Sequence, residues 1–183
     1  ADSRAIVTTI LTDPLYTEYS TDTHRQWGHA RINVKGAWGI TTGTPSVVVA
    51  VIDTGGDAGM SDLVGQYALP STEWKYFGSS MNNGDDTDGH GTGMATIVAG
   101  KADGLFMVGV ATNCRILPVR IAKKGGESVT TTSFENAINY VVSTAPALGV
   151  RVVLLTLGGH TYTSADKKLT TSIQKALDAG LVV

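Results

Sequence analysis

Cysteine is almost absent from this chain: Cys114 is the single cysteine among 183 residues. One cysteine excludes an internal disulfide and any metal site built from cysteines. The four histidines, at positions 24, 29, 90 and 160, show no metal-ligand spacing such as HExxH. Because Cys114 opens an apolar strand with no base beside it in the sequence, we interpret it as a small core residue rather than a nucleophile.

Long hydrophobic runs and an excess of one charge are also missing. No apolar stretch approaches the roughly 18 residues that a membrane helix needs, so we expect no membrane partner. The formal net charge is −2 with 16% charged residues, which gives no basis for a nucleic-acid partner. Hydrophobic residues make up 42% of the chain, enough for one globular domain with a sizeable core.

The apolar run at residues 47–52 is the centre of the sequence, and it ends on Asp53, Thr54 and two glycines. A short, β-branched run without polar interruption is typical of a strand buried on both faces in a parallel sheet. Catalytic and ligand-binding groups of open α/β sheets lie at the carboxyl ends of the strands. Asp53 is therefore a candidate functional residue.

Helices and strands alternate along the rest of the chain. Periodicity predicts a short helix at 34–40, a buried helix at 91–100, a helix with one apolar face at 132–145, and a further helix from about 164. Strands are predicted near 74–77 and at 115–122, and a second strand buried on both faces is predicted at 150–157. Thr132 and Glu135 fit a capping box for the helix after residue 131, and Pro146 with Gly149 is predicted to end it. This alternation predicts an α/β fold: a doubly wound, mostly parallel sheet with helices on both faces.

Two short motifs carry a resemblance to a known family. Asp53-Thr54-Gly55 follows the central strand, and Gly89-His90-Gly91-Thr92 opens a buried helix. Together they resemble the subtilisin-like serine proteases, or subtilases. Further segments resemble that family in the same order: Gln26-Trp27-Gly28, Gly109-Val110-Ala111, Thr156-Leu157-Gly158-Gly159 and Ala179-Gly180-Leu181-Val182-Val183. The likeness runs from about residue 26 to residue 183.

The resemblance implies a Ser/His/Asp triad in which this chain supplies two members. Asp53 would be the orienting carboxylate and His90 the general base. The family's G-T-S-M-A nucleophile motif and its A-A-G-N oxyanion segment do not occur in the sequence. We therefore expect residues 26–183 to be the N-terminal part of an incomplete catalytic domain, residues 1–25 to be a surface arm, and a second polypeptide to bring the nucleophilic serine.

This sequence also departs from the family pattern at three places. Met60-Ser61 precede Asp62-Leu63 where His-Pro is usual, and Gly93 and Thr96 replace a usual His and Gly.

Two segments match the family's substrate-flanking backbone, Gly125-Gly126-Glu127 and Thr156-Leu157-Gly158. Glycines there would let a peptide pair as an added strand, and ordinary turn chemistry is the alternative.

Calcium is the one cofactor that the resemblance implies. Asp62 and Asp103 match positions that bind Ca²⁺ in many subtilases, with the loop carbonyls of Lys101, Leu105 and Met107 as further hard oxygen ligands. The alternative is two solvated loop acids. No organic cofactor is expected. The acidic run at 85–88 is interpreted as a solvated turn, with a preference for basic residues in the substrate as the other reading.

Three hypotheses of function stay open at this point. The first is a secreted endopeptidase, its signal or propeptide removed, that acts on proteins or peptides. The second is a non-catalytic subtilase-like scaffold that binds peptides or a partner protein. The third is an aspartic protease, because Asp53-Thr54-Gly55 is also that family's motif; it requires an all-β sequence, which the capped helices argue against.

Overall fold

The computed structural model of the chain describes residues 13–16, 26–78, 83–122, 129–157 and 165–183. Its helices and strands are as follows: α1 (Trp27–Arg31), α2 (Val34–Trp38), β1 (Val48–Asp53), β2 (Lys75–Tyr76), α3 (His90–Ala99), β3 (Arg115–Arg120), α4 (Thr131–Leu148), β4 (Val150–Leu155) and α5 (Ala165–Asp178). Two 3₁₀ turns, Ser61–Leu63 and Ser71–Glu73, lie between β1 and β2. No helix among the described residues is long and apolar enough to cross a membrane.

Strand β1 lies inside a four-stranded sheet of order β2-β3-β1-β4, and every pairing is parallel. All six of its residues are buried, as its unbroken apolar run predicts. The register pairs Val48 with Arg115 and Asp53 with Arg120. The carboxyl ends of β1 and β3 therefore share one edge of the sheet, and Asp53 lies on it.

Helices cover both faces of the sheet, which confirms the predicted doubly wound α/β architecture. One core cluster packs the β1 residues Val48, Ala50 and Ile52 against α4 and α5. The alternate β1 residues, Val49 and Val51, pack against α3 on the other face. The two faces follow from the side-chain alternation of a strand. A parallel sheet layered between helices does not fit the all-β aspartic-protease hypothesis.

Two predictions about α4 are wrong. The cap is Thr130, whose extended backbone places its hydroxyl 3.0 Å from the amide of Ser133, so the capping box does not begin at Thr132. Pro146 lies inside the helix, whose last residue is Leu148, so the proline removes one hydrogen bond of the last turn without ending the helix. The helix ends at Gly149, which takes the left-handed conformation with φ +74°.

The expectation of complete burial also fails for β4 and α3. Strand β4 is an edge strand of the described sheet and stops at Leu155, with Arg151 exposed. Its outer edge pairs with one residue of the described chain: the amide of Val153 donates to Val182 O at 2.7 Å. Helix α3 buries only one face, and Ile97 on the other is 41% exposed.

Candidate active site

The side chains of Asp53 and His90 meet at the carboxyl end of β1. His90 Nδ1 lies 2.8 Å from Asp53 Oδ1 and 2.9 Å from Oδ2. The carboxylate is 2% exposed and the imidazole 49% exposed. An ionised carboxylate only accepts hydrogen bonds, so Nδ1 carries the proton and Nε2 is left for chemistry. The sequence placed these residues 37 positions apart, and the fold brings them into contact.

The close approach of α3 to β1 creates this contact. A Cβ added at Gly91 would lie 2.5 Å from the carbonyl oxygen of Gly55, so only glycine allows the helix to start there. The Gly91 amide donates to the Thr54 hydroxyl at 2.8 Å. Gly89, just before the helix, has φ +104°, which a residue with a side chain rarely adopts. The two glycines of the G-H-G motif thus have a structural reason: Gly91 allows the close approach of α3 to β1, and Gly89 allows the turn before His90.

Asp53 is held by more than the histidine. The amide of Thr54 donates to its Oδ1 at 2.6 Å, and the hydroxyl of Thr156 donates to its Oδ2. Thr156 was predicted as a backbone substrate residue, and its side-chain contact with the pair of Asp53 and His90, which we call the dyad, was not foreseen from the sequence. The signal that could have found it is its place just after β4, the strand next to β1.

The described residues include only part of the predicted substrate segments. Thr156 and Leu157 are described, and Leu157 is 38% exposed. Gly125, Gly126, Glu127 and Gly158 lie outside the described residues. The assignment of these six residues to substrate binding stays a prediction.

The electrostatics of His90 suit a general base. The hydrogen bond to Asp53, followed by the charge of Asp53, raises the pKa of His90 above its usual value of 6.5. Asp88 and Asp86 act in the same direction. A raised pKa strengthens the base, and the orienting carboxylate stabilises the imidazolium that forms when Nε2 takes a proton. The pair can therefore accept and return a proton at the surface of the chain.

A second group of carboxylates lies around the loop after α3, and we call Asp13, Asp62 and Asp103 the acid cluster. Asp62 is fully buried; its Oδ2 accepts from the Met107 amide at 3.2 Å, while its Oδ1 has no hydrogen-bond partner. Asp103 bridges to Lys101 Nζ at 2.9 Å. The solvated reading thus fails for Asp62. Among the described residues, no three acidic, histidine or cysteine side chains are grouped closely enough to hold a metal ion alone.

Asp13 joins this cluster although the sequence placed it in a surface arm. It is 1% exposed, and neither of its carboxylate oxygens has a hydrogen-bond partner. Burial first, and then the charge of Asp103, raise the pKa of Asp13 to about 6. Burial is also the main cause that raises the pKa of Asp62. Asp13 begins a turn through Pro14, since the Tyr16 amide donates to Asp13 O at 3.0 Å.

The acidic run at 85–88 is not a simple solvated turn. The carboxylate of Asp86 accepts hydrogen bonds from the loop before His90 and from the first turn of α3. Asp86 is half-buried, whereas the other three residues of the run are exposed. An aspartate a few residues before a helix is a capping pattern, and this pattern could have indicated the role of Asp86 from the sequence.

Comparison with known proteins assigns the family. Residues 44–183 match the peptidase S8 family, the subtilase family. The chain is 32% identical over 161 residues to the thermophilic serine proteinase of Bacillus sp. (strain AK1), which covers 86% of this chain and 37% of that protein. It is 34% identical over 113 residues to the cell wall-associated protease of Bacillus subtilis (strain 168), covering 61% of this chain and 12% of that protein.

A solved structure agrees with the fold. The structure of the prenylagaramide maturation protease PagA superimposes with a TM-score of 0.61 at 26% identity, over 81% of this chain and 48% of that one. This chain belongs to the subtilase family of serine proteases. It spans well under half the length of the two curated relatives described above.

Proposed function

We propose that this chain supplies the general base and the orienting carboxylate of a subtilisin-type serine endopeptidase. The observation that carries the proposal is the contact between a half-exposed imidazole and a buried carboxylate at the carboxyl end of the central strand. His90 Nε2 takes the proton of a serine hydroxyl as that oxygen attacks the peptide carbonyl. It then returns the proton to the leaving amine, and Asp53 keeps the imidazole in the required tautomer.

The nucleophile and the oxyanion donor come, in this proposal, from a second polypeptide. The 183 residues contain neither family motif for these groups. The outer edge of β4 supports an added partner: within the described residues it pairs with Val182 alone, and unpaired backbone groups of an edge strand invite another segment. Apolar side chains beside this edge support it too: Val182 is 63% exposed and Leu157 is 38% exposed. The interface would resemble a domain core cut in two.

Substrates in this proposal are proteins or peptides, bound along the backbone at Thr156, Leu157 and Gly158 on one side and Gly125, Gly126 and Glu127 on the other. Glycine-containing segments let an extended peptide pair as an added strand. The protein would be secreted, in keeping with its similarity to a cell wall-associated protease. Neither nucleic acid nor a membrane has a part in the proposal.

A structural calcium ion is the cofactor we propose. The residues fit it: Asp62 Oδ1 is buried without a partner, and carboxylates with loop carbonyls are the hard oxygen donors that Ca²⁺ prefers. Asp62, Asp103 and the carbonyls of Lys101, Leu105 and Met107 would hold it. The ion would neutralise buried negative charge and fix the loop after α3, and it would take no part in proton transfer.

Labelling of the native protein with a fluorophosphonate tests the proposal. The probe should react covalently with a serine on a companion polypeptide, which denaturing electrophoresis separates from this 19.1 kDa chain. His90→Ala should remove both the labelling and the hydrolysis of a casein substrate. Label on this chain would refute the two-polypeptide arrangement. Absence of label and of hydrolysis in the native protein would favour the alternative, a non-catalytic subtilase-like scaffold.

A further inference from the structure

Five hydrogen bonds meet on the carboxylate of Asp86, beside the dyad. Its Oδ1 accepts from the Thr54 hydroxyl and from the Asp88 and Gly89 amides, each at 2.9 Å. Its Oδ2 accepts from the amide of Thr92 at 2.9 Å and from the hydroxyl at 2.6 Å. Three segments of the chain are thus joined by one side chain: the end of β1, the loop that leads into α3, and the first turn of α3.

This arrangement requires a carboxylate. Burial alone would raise the pKa of Asp86, but the hydrogen bonds from Gly89, Thr92 and Asp88 outweigh it and lower the pKa to about 2. Each oxygen accepts from a backbone N–H, one from Gly89 and one from Thr92. An asparagine would turn its NH₂ group toward one of these amides, and a donor facing a donor leaves a hydrogen bond unmade.

The loop that carries Asp86 is itself held from the neighbouring strand. Arg120 of β3 is buried and donates from Nη1 to Asp85 O at 2.7 Å and from Nη2 to the Thr87 hydroxyl at 2.9 Å. The Asp86 amide donates to Gly56 O at 2.8 Å. The carboxylate of Asp86 is therefore a fixed point from which the start of α3 can be placed.

We propose that Asp86 is a positioning residue for the peptidase: it fixes the start of α3 against the end of β1 and so holds the His90 imidazole on Asp53. The inference rests on the proposed function. Asp86 binds the residue just before His90, Gly89, and the residue two positions after it, Thr92. Loss of either bond lets the first turn of the helix shift, and the Nδ1–carboxylate contact depends on that turn.

A simple effect of charge makes a different prediction. Both Asp88 and Asp86 raise the pKa of His90 through their charge, and the contribution of Asp88 is the larger. If charge were all that mattered, Asp88→Asn would lower the pKa of His90 at least as far as Asp86→Asn. Our proposal expects the reverse order, because only Asp86→Asn loosens the contact between His90 and Asp53.

The experiment uses the native protein that contains this chain, with ¹⁵N-labelled histidine. The pKa of His90 is measured by NMR titration, and kcat and KM are measured on a peptide substrate. Asp86→Asn should lower the pKa of His90 further than Asp88→Asn does. It should also lower kcat by about 10- to 100-fold, the scale of a small misplacement of a catalytic group, with KM within about twofold. Asp88→Asn should keep the wild-type kcat.

A second pair of variants tests the same link without a change of charge. Thr92→Val removes the hydroxyl that joins the first turn of α3 to Asp86 and should lower both the pKa of His90 and kcat, whereas Thr92→Ser should restore them. This pair decides the question if Asp86→Asn does not fold. Equal titration and turnover in Asp86→Asn and Asp88→Asn, or wild-type values in Thr92→Val, would overturn the proposal. An inactive wild type would refute the proposed function, yet the titrations would still decide the role of Asp86.

Discussion

Asp53 and Asp62 are buried to the same degree, 1% and 0% exposed, but their oxygens have different surroundings. Both oxygens of Asp53 accept hydrogen bonds, from the Thr54 amide, the Thr156 hydroxyl and His90. Asp62 has one oxygen with a single long bond and one with none. The contrast extends to their neighbours, since the pKa of Asp86 is lowered to about 2 and that of Asp13 is raised to about 6.

The difference in hydrogen bonding separates buried carboxylates that the chain supplies with several donors from buried carboxylates that it supplies with few. A buried carboxylate is stable when donors or a positive charge satisfy it, and costly when they do not. In the dyad and around Asp86, backbone amides and hydroxyls meet the charge. For the buried carboxylates of Asp13 and Asp62, burial outweighs the contacts with nearby donors and raises the pKa of both. The same residue type thus fits the orienting role that we propose at one site and the calcium site that we propose at the other.

The largest expected effect comes from breaking the dyad. His90→Ala should abolish turnover of the native protein, and Asp53→Asn should lower it by about 10⁴-fold, the typical cost of the wrong imidazole tautomer. Because the His90 side chain is half-exposed, its removal should leave the thermal midpoint and its dependence on calcium unchanged. Peptide hydrolysis and differential scanning calorimetry measure the two. Near-full turnover in His90→Ala would remove this residue from the mechanism.

Calcium should stabilise the acid cluster and leave the dyad unaffected. A ligand that binds only the native state adds about 4 kcal/mol to the free energy of unfolding at 1,000 times its dissociation constant. Asp62→Asn should reduce this increment, and Asp178→Asn, an exposed acid on α5, should not. Chemical denaturation in chelator and in millimolar calcium measures it. An identical unfolding curve in the two buffers would contradict the calcium assignment.

Asp13→Asn should raise stability in chelator. The pKa of Asp13 is about 6 in the folded chain against 3.8 for the ordinary residue. A raised carboxyl pKa stabilises the fold fully below pH 3.8, and this contribution is lost as the pH rises through about 6. At pH 7.5 the wild type should therefore be about 2–3 kcal/mol less stable than Asp13→Asn. Denaturation in chelator at pH 4 and pH 7.5 checks this; a variant that is less stable at pH 7.5 would contradict it.

Asp86→Asn should change stability in the opposite direction from Asp13→Asn, and by a smaller amount. The pKa of Asp86 is lowered to about 2 from 3.8, so its contribution to stability is present above pH 3.8 and is lost as the pH falls through about 2. We expect Asp86→Asn to be about 1–2 kcal/mol less stable at pH 6, after allowance for partial exposure, with the gap closing toward pH 2. Denaturation curves across this range measure it, and a gap that is constant with pH would argue against the ionised carboxylate as its cause.

Prediction from the sequence succeeded where a pattern is local. The apolar run before Asp53 predicted a buried parallel strand, and the regular apolar spacing after residue 131 predicted a helix. Prediction failed where the outcome depends on neighbours in space: the helix cap is Thr130 and not Thr132, and β4 is an edge strand of the described sheet although its sequence is nearly as apolar as that of β1. A strand's own residues do not specify how many strands lie beside it.

The sequence by itself determined the class of fold, the place of Asp53 at a strand end and the glycines around His90, because strand periodicity and backbone freedom are properties of short segments. Only the tertiary structure decided which polar groups meet. It placed the Thr156 hydroxyl on Asp53, gathered five donors on Asp86 and buried Asp13 beside Asp103. Hydrogen bonds and burial join residues far apart in the chain, and their distances are set only when the sheet and its helices pack.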